Sequence, residues 1–259
     1  MDIIIWFPAF IALGGAILFY MWREAYQNRV ISLTVAYEEF PDAEENLTIF
    51  FISDIHRRRV DISLIDRMKG KADLVLIGGD LAERGVPFSQ IRENLRRLNQ
   101  IGPVYFIWGN NDYELGRKEL RQLFREERIT VLENEHMLLP TKAGGKIALI
   151  GIGEIAFADA DLQLAIAGLD PDLFKICCCH NPKIVAEMTG DERIHLTLCG
   201  HTHGGQINLF GIAPYPLGGF FRLVKTDLLV TNGYGTTLLP LRFRARAETH
   251  LITIQKAKT

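Results

Sequence analysis

With 259 residues, 48% of them hydrophobic and 23% charged, the chain can bury a substantial core, which excludes a disordered or low-complexity protein. A net charge of −2 supplies no global basic face, so nucleic acid is not a favoured partner. Four cysteines, three of them consecutive (Cys177, Cys178, Cys179) and one apart (Cys199), form no CxxC pair, which excludes a zinc-finger framework and reads as reduced thiols buried in strands.

The N-terminus reads as a separate unit. No residue from Ile3 to Trp22 is charged, and Asp2 and Arg23 flank the run. A helix needs about 20 apolar residues to cross a bilayer. Trp6, Tyr20 and Trp22 sit near the ends, as interfacial aromatics do. A cleaved signal peptide would begin basic and end in a small-x-small site; this run does neither. The expectation is therefore one transmembrane anchor over residues 1–24, a linker with an edge strand over 25–45, and a single domain over 46–259. Arg23 and Arg29 follow the anchor, so the positive-inside rule places the domain in the cytoplasm of a single-pass membrane protein.

After an expected edge strand at 30–37 comes an acidic loop with Pro41, and then a series of apolar runs at 47–52, 74–77, 104–108, 147–150, 174–179 and 196–199, with two more at 228–230 and 251–254. They are rich in Ile, Val, Leu and Phe without polar alternation, the pattern of strands covered on both faces. Between several of them, 62–68, 89–98, 115–126 and 182–188 carry helical signals: apolar spacing of three and four, or a proline after an N-capping asparagine. Alternating strands and helices predict a layered α/β domain. The stretch 211–221, rich in Gly, Pro and aromatics, reads as a shaped loop.

Five of these strands end in groups that bind metal. The endings are Asp54-Ile55-His56, Gly79-Asp80, Gly109-Asn110-Asn111-Asp112, His180-Asn181 and Gly200-His201-Thr202-His203. In open α/β sheets ligands bind at the carboxyl ends of strands, where side chains distant in sequence converge. Asp, Asn and His without thiolate suit Mn, Fe or Zn, with Mn placed first. Residues two apart in extended chain, such as Asp54 with His56 and His201 with His203, project to the same side.

The ordered set DIH, GGD, GNND, H and GHTH resembles the calcineurin-like metallophosphoesterase family, and the extended GHTHGGQ with the late NGYGTTLLPLRFRARAE resembles its bacterial membrane-associated branch. The resemblance implies a four-layer αββα sandwich and two divalent metal ions. One ion would take Asp54, His56, Asp80 and His203. The other would take Asp80, Asn110, His180 and His201, with Asp80 bridging. It also implies that the ions activate a water for in-line attack on phosphorus.

One position departs from the family pattern. Where the family usually carries a histidine that assists the leaving group, this chain has Asn111, beside Asp112, the residue that would orient that histidine. An amide does not transfer a proton near neutral pH. Asn111 and Asp112 are therefore the candidate catalytic pair, and a phosphodiester or pyrophosphate, with its better leaving group, is expected over an alkyl monoester. The anchor points to a lipid-linked substrate. Phosphomonoesterase, or nucleotide or nucleic-acid phosphodiesterase, activity is the alternative. A non-enzymatic scaffold is disfavoured because all seven ligands are present. Arg57 and Arg58 follow the DIH ligands and are read as a clamp for an anionic substrate. Arg242, Arg244 and Arg246 alternate, as on a strand face that meets membrane or substrate. Glu154 and Asn181 are read as supports behind the ligands.

Overall fold

The apolar runs become the inner strands of two six-stranded sheets. The computed structural model describes residues 3–41, 46–141, 144–157, 159–209 and 211–258, the side chains of residues 3–7 excepted. In chain order the elements are α1 (Ile3–Ala25), β1 (Arg29–Tyr37), β2 (Asn46–Ile52), α2 (Ile62–Met68), β3 (Leu74–Gly78), α3 (Phe88–Leu98), β4 (Val104–Ile107), α4 (Arg117–Glu126), β5 (Thr130–Val131) and β6 (Glu135–Pro140). They continue with β7 (Lys146–Gly151), α5 (Leu162–Ile166), β8 (Phe174–Cys178), α6 (Ile184–Glu187), β9 (Leu196–Cys199), β10 (Gly219–Arg222), β11 (Asp227–Val230) and β12 (Glu248–Lys256).

The first sheet has the order β1-β12-β2-β3-β4-β5 and the second β10-β11-β9-β8-β7-β6. Both are mixed. β2, β3 and β4 run parallel to one another, as do β7, β8, β9 and β11. Each inner strand feeds an apolar layer on both of its faces. On β2, Phe50 and Ile52 pack with residues of α2, α3 and α4, while Ile49 and Phe51 meet the second sheet. On β8, Ile176 and Cys178 face the first sheet, while Cys177 and the following Cys179 face α5 and α6. The result is helices, sheet, sheet, helices. Each fully buried Leu, Ile or Phe of these layers contributes about 1.5–3 kcal/mol relative to exposure. The four cysteines are free and fully buried, divided between the two faces of their strands.

Several elements lie outside the sequence expectations. β5, β6 and β10 are short or exposed strands at sheet edges, and β10 closes the stretch expected as a loop. The last strand, β12, is not peripheral. It inserts between β1 and β2, parallel to the first and antiparallel to the second. The expected edge strand is β1; part of the acidic loop after it, 42–45, lies outside the described residues.

The transmembrane anchor is not shown by the structure: among the described residues no helix is long and apolar enough to cross a membrane. From Pro8 to Tyr20 every residue of α1 is exposed. Its C-terminal end is docked on the domain. Met21, Glu24 and Ala25 are buried, the Arg242 N–H donates to Met21 O at 3.0 Å, and Arg29 pairs with Glu24 at 2.8 Å.

Candidate metal centre

The five strand ends meet at one edge of the two stacked sheets. Asp54 and His56 follow β2, Asp80 follows β3, Asn110 follows β4, His180 follows β8, and His201 and His203 follow β9. Five of these seven residues hold left-handed backbone: Asp54 (φ 56°), His56 (51°), Asp80 (50°), His201 (71°) and His203 (50°). Each such non-glycine residue costs on the order of 1–3 kcal/mol, and strain of this kind gathers where function requires a fixed geometry. Glycines make the tight approach possible. A Cβ at Gly200 would lie 2.0 Å from Ser53 Oγ, and one at Gly109 would lie 2.4 Å from Asp80 Oδ1.

The side chains form two overlapping groups, Asp54 with His56 and His203, and Asp54 with Asp80 and His180. Nε2 of His56 and Nε2 of His203 are 3.0 Å apart. Asp54 Oδ1 lies 3.3 Å from His203 Nε2 and 4.0 Å from His180 Nε2. Asp80 Oδ2 lies 3.3 Å from His180 Nε2 and 3.7 Å from His56 Nε2, so one carboxylate oxygen faces both groups. Asn110 Oδ1 and His201 Nδ1 converge at 2.9 Å, and the His201 N–H donates to Asp54 Oδ1 at 3.1 Å.

This donor set fits metal ions. His180 Nδ1 lies 2.8 Å from Gly78 O, which can only accept, so Nδ1 carries the proton and Nε2 keeps its lone pair. That Nε2 is buried, without a hydrogen-bond partner, and aimed at carboxylate oxygens. His56 differs: its Nδ1 faces Glu83 Oε2 at 3.1 Å as an ion pair without a hydrogen-bond partner, and its Nε2 is turned into the cluster towards His203. Acceptors facing acceptors in a buried space are relieved only by protons or cations. The titration shifts have the same origin. Burial works against charge on His56 and His180, yet for His56 the Glu83, Asp80 and Asp54 carboxylates, and for His180 Asp80 above all, hold both above the usual imidazole value. Burial, together with His56 and Arg242, pushes His203 well down. Burial also opposes the ionisation of Asp80, but His180 and His56 keep its carboxyl low.

The calcineurin-like phosphoesterase family model matches residues 47–205, more than half of the chain and the whole span of the cluster. The chain belongs to the calcineurin-like phosphoesterase family. The uncharacterized protein YpbG of Bacillus subtilis is 43% identical over 210 residues, 80% of this chain and 81% of its own length. The phosphodiesterase YaeI of Escherichia coli is 29% identical over 83% of this chain and 84% of its own. Among solved structures, the Haemophilus influenzae NAD nucleotidase aligns with a TM-score of 0.53 at 18% identity, over 74% of this chain and 45% of its own, a likeness of fold alone. This calcineurin-like phosphoesterase is a metal-dependent phosphoester hydrolase.

The remaining candidates of this phosphoesterase fall in different places. Asn111 is half-buried at the edge of the cluster; its Oδ1 accepts from Asn110 Nδ2 at 3.0 Å and its N–H donates to Asp80 Oδ1 at 2.8 Å. Asp112 is fully buried, and its oxygens accept from the N–H groups of Asp80 (2.8 Å), Gly109 (2.9 Å) and Ala82 (3.2 Å). It braces the ends of β3 and β4 against each other. Burial and the Asp80 charge push its carboxyl up to about 8, against the pull of the N–H donors.

Arg57 reaches outward to Glu83, with a side chain 72% exposed. Arg58 does not line up with it as a clamp. Its Nη1 donates to Ala25 O (3.2 Å) and Tyr234 O (2.6 Å), and its Nη2 to Tyr26 O (2.7 Å), Gln27 O (3.1 Å) and Asn28 Oδ1 (2.7 Å). The guanidinium also stacks on Tyr234, 3.7 Å from the ring centre. It binds the last carbonyl of α1 and the two that follow it, and fastens that helix to the DIH loop. Arg242, expected at a surface, is fully buried; its donors go to backbone carbonyls of Asn232, Gly233, Gly235, His203 and Ala245, and Nη2 lies 3.3 Å from His203 Nδ1.

Glu154 is buried with Oε1 accepting from Ala156 N at 2.9 Å, and Asn181 Oδ1 accepts from Lys183 N at 3.1 Å. Glu83, which orients His56, was not anticipated. Nothing in the sequence separates it from other acidic residues except its place three residues after Asp80.

Proposed function

We propose that the enzyme cleaves a phosphodiester or pyrophosphate bond in preference to an alkyl phosphomonoester, using two divalent ions, with Mn²⁺ the first candidate. The observation that carries this reading is Asn111. It stands beside Asp80 and Asn110 where a proton donor to the leaving group would serve an alkyl monoester, and its amide cannot supply a proton. A leaving group that departs as a stable anion needs no such donor.

Asp54, His56, Asp80 and His203 would hold one ion, and Asp80, Asn110, His180 and His201 the other. Bound there, divalent ions supply Lewis-acid charge to phosphoryl oxygens and acidify a water. The chain's own contribution is orientation. Glu83 and the Gly78 carbonyl fix the His56 and His180 rings, the Asn111 N–H fixes one Asp80 oxygen, and Arg57 offers a guanidinium at the rim to the anionic substrate.

The proposal includes a membrane. α1 carries no charge from Ile3 to Trp22 and exposes Phe10, Ile11, Leu18 and Phe19, so an apolar medium must cover it. Arg23 and Arg29 favour a cytoplasmic position for the domain. A lipid-linked phosphate is then the substrate closest to hand.

Metal-replaced full-length protein, screened with Mn²⁺, Fe²⁺ and Zn²⁺ against monoesters, diesters, nucleotide pyrophosphates and lipid pyrophosphates, tests the reading, with Asp80→Ala as control. Faster turnover of simple alkyl monoesters than of diesters or pyrophosphates would sink it. Activity surviving in Asp80→Ala would move the chemistry to another site.

A further inference from the structure

Leu238 combines two unfavourable conditions. It is 96% exposed, and its backbone is left-handed, with φ 58°. A non-glycine residue in that region costs about 1–2 kcal/mol, and an exposed leucine recovers none of it by burial. Yet the residue is held there firmly. The Gln206 side-chain amide donates to Thr237 O at 2.9 Å and Leu239 O at 3.0 Å, and its oxygen accepts from the Thr237 N–H at 2.9 Å. Gln206 lies three residues beyond the ligand His203, so the tip is braced directly on the metal-binding loop.

The tip stands between two cavities. One, of about 570 Å³, runs from Ala25 and Tyr26 at the end of α1 past Arg57 to Glu83. The other, of about 320 Å³, is lined by Leu238 with Arg57, Arg84, Asn111 and Glu114. The chain just beyond the tip packs on the helix: Phe243 meets Tyr20 edge-on at 6.3 Å, and the Arg242 N–H donates to Met21 O. The docked end of the apolar helix, the tip and the mouth of the site therefore lie side by side.

We propose that the 236–240 tip enters the same lipid surface as α1, so that the phosphate cleaved is one carried at the level of the lipid headgroups. The proposal rests on the reading of α1 as membrane-associated and of the site as a phosphohydrolase. A lipid surface fits better than a protein partner for two reasons. α1 is exposed and apolar on every side from Pro8 to Tyr20, whereas a protein groove covers one side of a helix. Arg57 and Arg84, both exposed beside the tip, complement anionic headgroups. Leu238 sets the depth, and Gln206 holds that depth constant relative to the metal ligands.

The test uses the full chain with Leu238→Cys carrying an environment-sensitive fluorophore attached as a maleimide. The four native cysteines are fully buried, so they do not compete for the label. In vesicles of phosphatidylcholine and phosphatidylglycerol, label at 238 is expected to shift to the blue and to be quenched by brominated acyl chains. Label at Leu164→Cys, exposed on α5 outside the second sheet, is expected to stay water-like. Adding Gln206→Ala to Leu238→Cys is expected to reduce the quenching, and unchanged quenching would overturn the brace.

Water-like, unquenched emission at 238 in protein that floats with the vesicles overturns the lipid contact of the tip alone. Protein that does not float overturns that contact together with the membrane half of the parent reading. Absence of diester and pyrophosphate hydrolysis by the unmodified protein loaded with Mn²⁺, Fe²⁺ or Zn²⁺ overturns the catalytic half, whatever the depth of the label.

Discussion

Asp80 and Asn111 are joined through the main chain: the Asn111 N–H donates to Asp80 Oδ1 at 2.8 Å, leaving Oδ2 turned towards His56 and His180. The N–H of Asp80 is in turn held by Asp112 Oδ2 at 2.8 Å. The segment after β4 thus supplies a candidate ligand at Asn110, a donor that orients the carboxylate between the two groups, and a brace at Asp112. None of these contacts uses the Asn111 side chain as an acid. That side chain can be exchanged while the main-chain donor stays.

Asn111→His therefore isolates the missing acid. A positioned general acid contributes about 10²–10⁴-fold where the leaving group needs a proton. The substitution is expected to raise kcat/KM for an alkyl phosphomonoester at least about 10-fold relative to a phosphodiester with a good leaving group, below the full range because the Asp112 carboxylate, expected to orient a histidine there, is already taken by three backbone N–H groups. Steady-state rates on both substrates with one metal decide it. An unchanged ratio would mean that the amide is not what sets the preference.

Glu83 acts through His56 rather than on substrate. Its Oε2 faces His56 Nδ1 at 3.1 Å, and loss of a carboxylate behind a metal-binding histidine weakens metal affinity by about 10–100-fold. Glu83→Ala should raise the metal dissociation constant in that range, with much of the activity returning at saturating metal. Metal titration followed by calorimetry measures it, and an unaltered constant would assign Glu83 to pairing with Arg57 alone.

Much of this was legible in the sequence, for identifiable reasons. β2, β8 and β9 are covered on both faces, so they appear as apolar runs, each interrupted by one polar residue (Thr48, Lys175 and Thr197), and 196–199 is matched residue for residue by β9. The candidate ligands stood out because metal chemistry admits few residue types and these lie at strand ends. The edge strands were not. β6 is exposed along much of its length and β5 has two residues, so neither carries a pattern. The partners of the arginines were hidden for a different reason. Arg58 follows directly on a surface-exposed Arg57, but its partners are carbonyls about 30 residues earlier and at Tyr234; Arg242 likewise finds carbonyls that only the folded loops bring together. Guanidinium chemistry reads the same in sequence whether its acceptors are phosphate or backbone.

The metal-free protein should lose stability as pH rises above neutrality. His56 and His180 are held above their ordinary value of 6.5, so the stabilisation from their charged forms is complete below 6.5 and is lost as pH rises through the folded values. Asp112, raised to about 8, acts in the same direction, because its proton is bound more tightly folded than unfolded. His201 and His203 are depressed and work oppositely, but their gain is complete once pH reaches 6.5. Above 6.5, then, these shifts only subtract, and metal, which displaces the same protons, should bind more tightly over the same window. Thermal unfolding of chelator-treated protein between pH 6.5 and about 8 checks the first part, and a flat or rising melting temperature would contradict it.

Arg58→Lys separates a structural cation from a substrate clamp. The guanidinium makes five bonds to Ala25, Tyr26, Gln27, Asn28 and Tyr234 and stacks on the Tyr234 ring; an ammonium has three donors and no plane. At least two of these part-buried or exposed acceptors would lose their protein partner, at about 0.5–1.5 kcal/mol each. The expected result is a lower urea midpoint and faster proteolysis between α1 and β1, with KM for a soluble diester unchanged under folding conditions. A clamp would give the reverse, a raised KM at full stability. Proteolysis matters here because Arg58 sits two residues from His56: if the substitution loosens α1 and KM still holds, the helix is attached through the DIH loop without being part of the site.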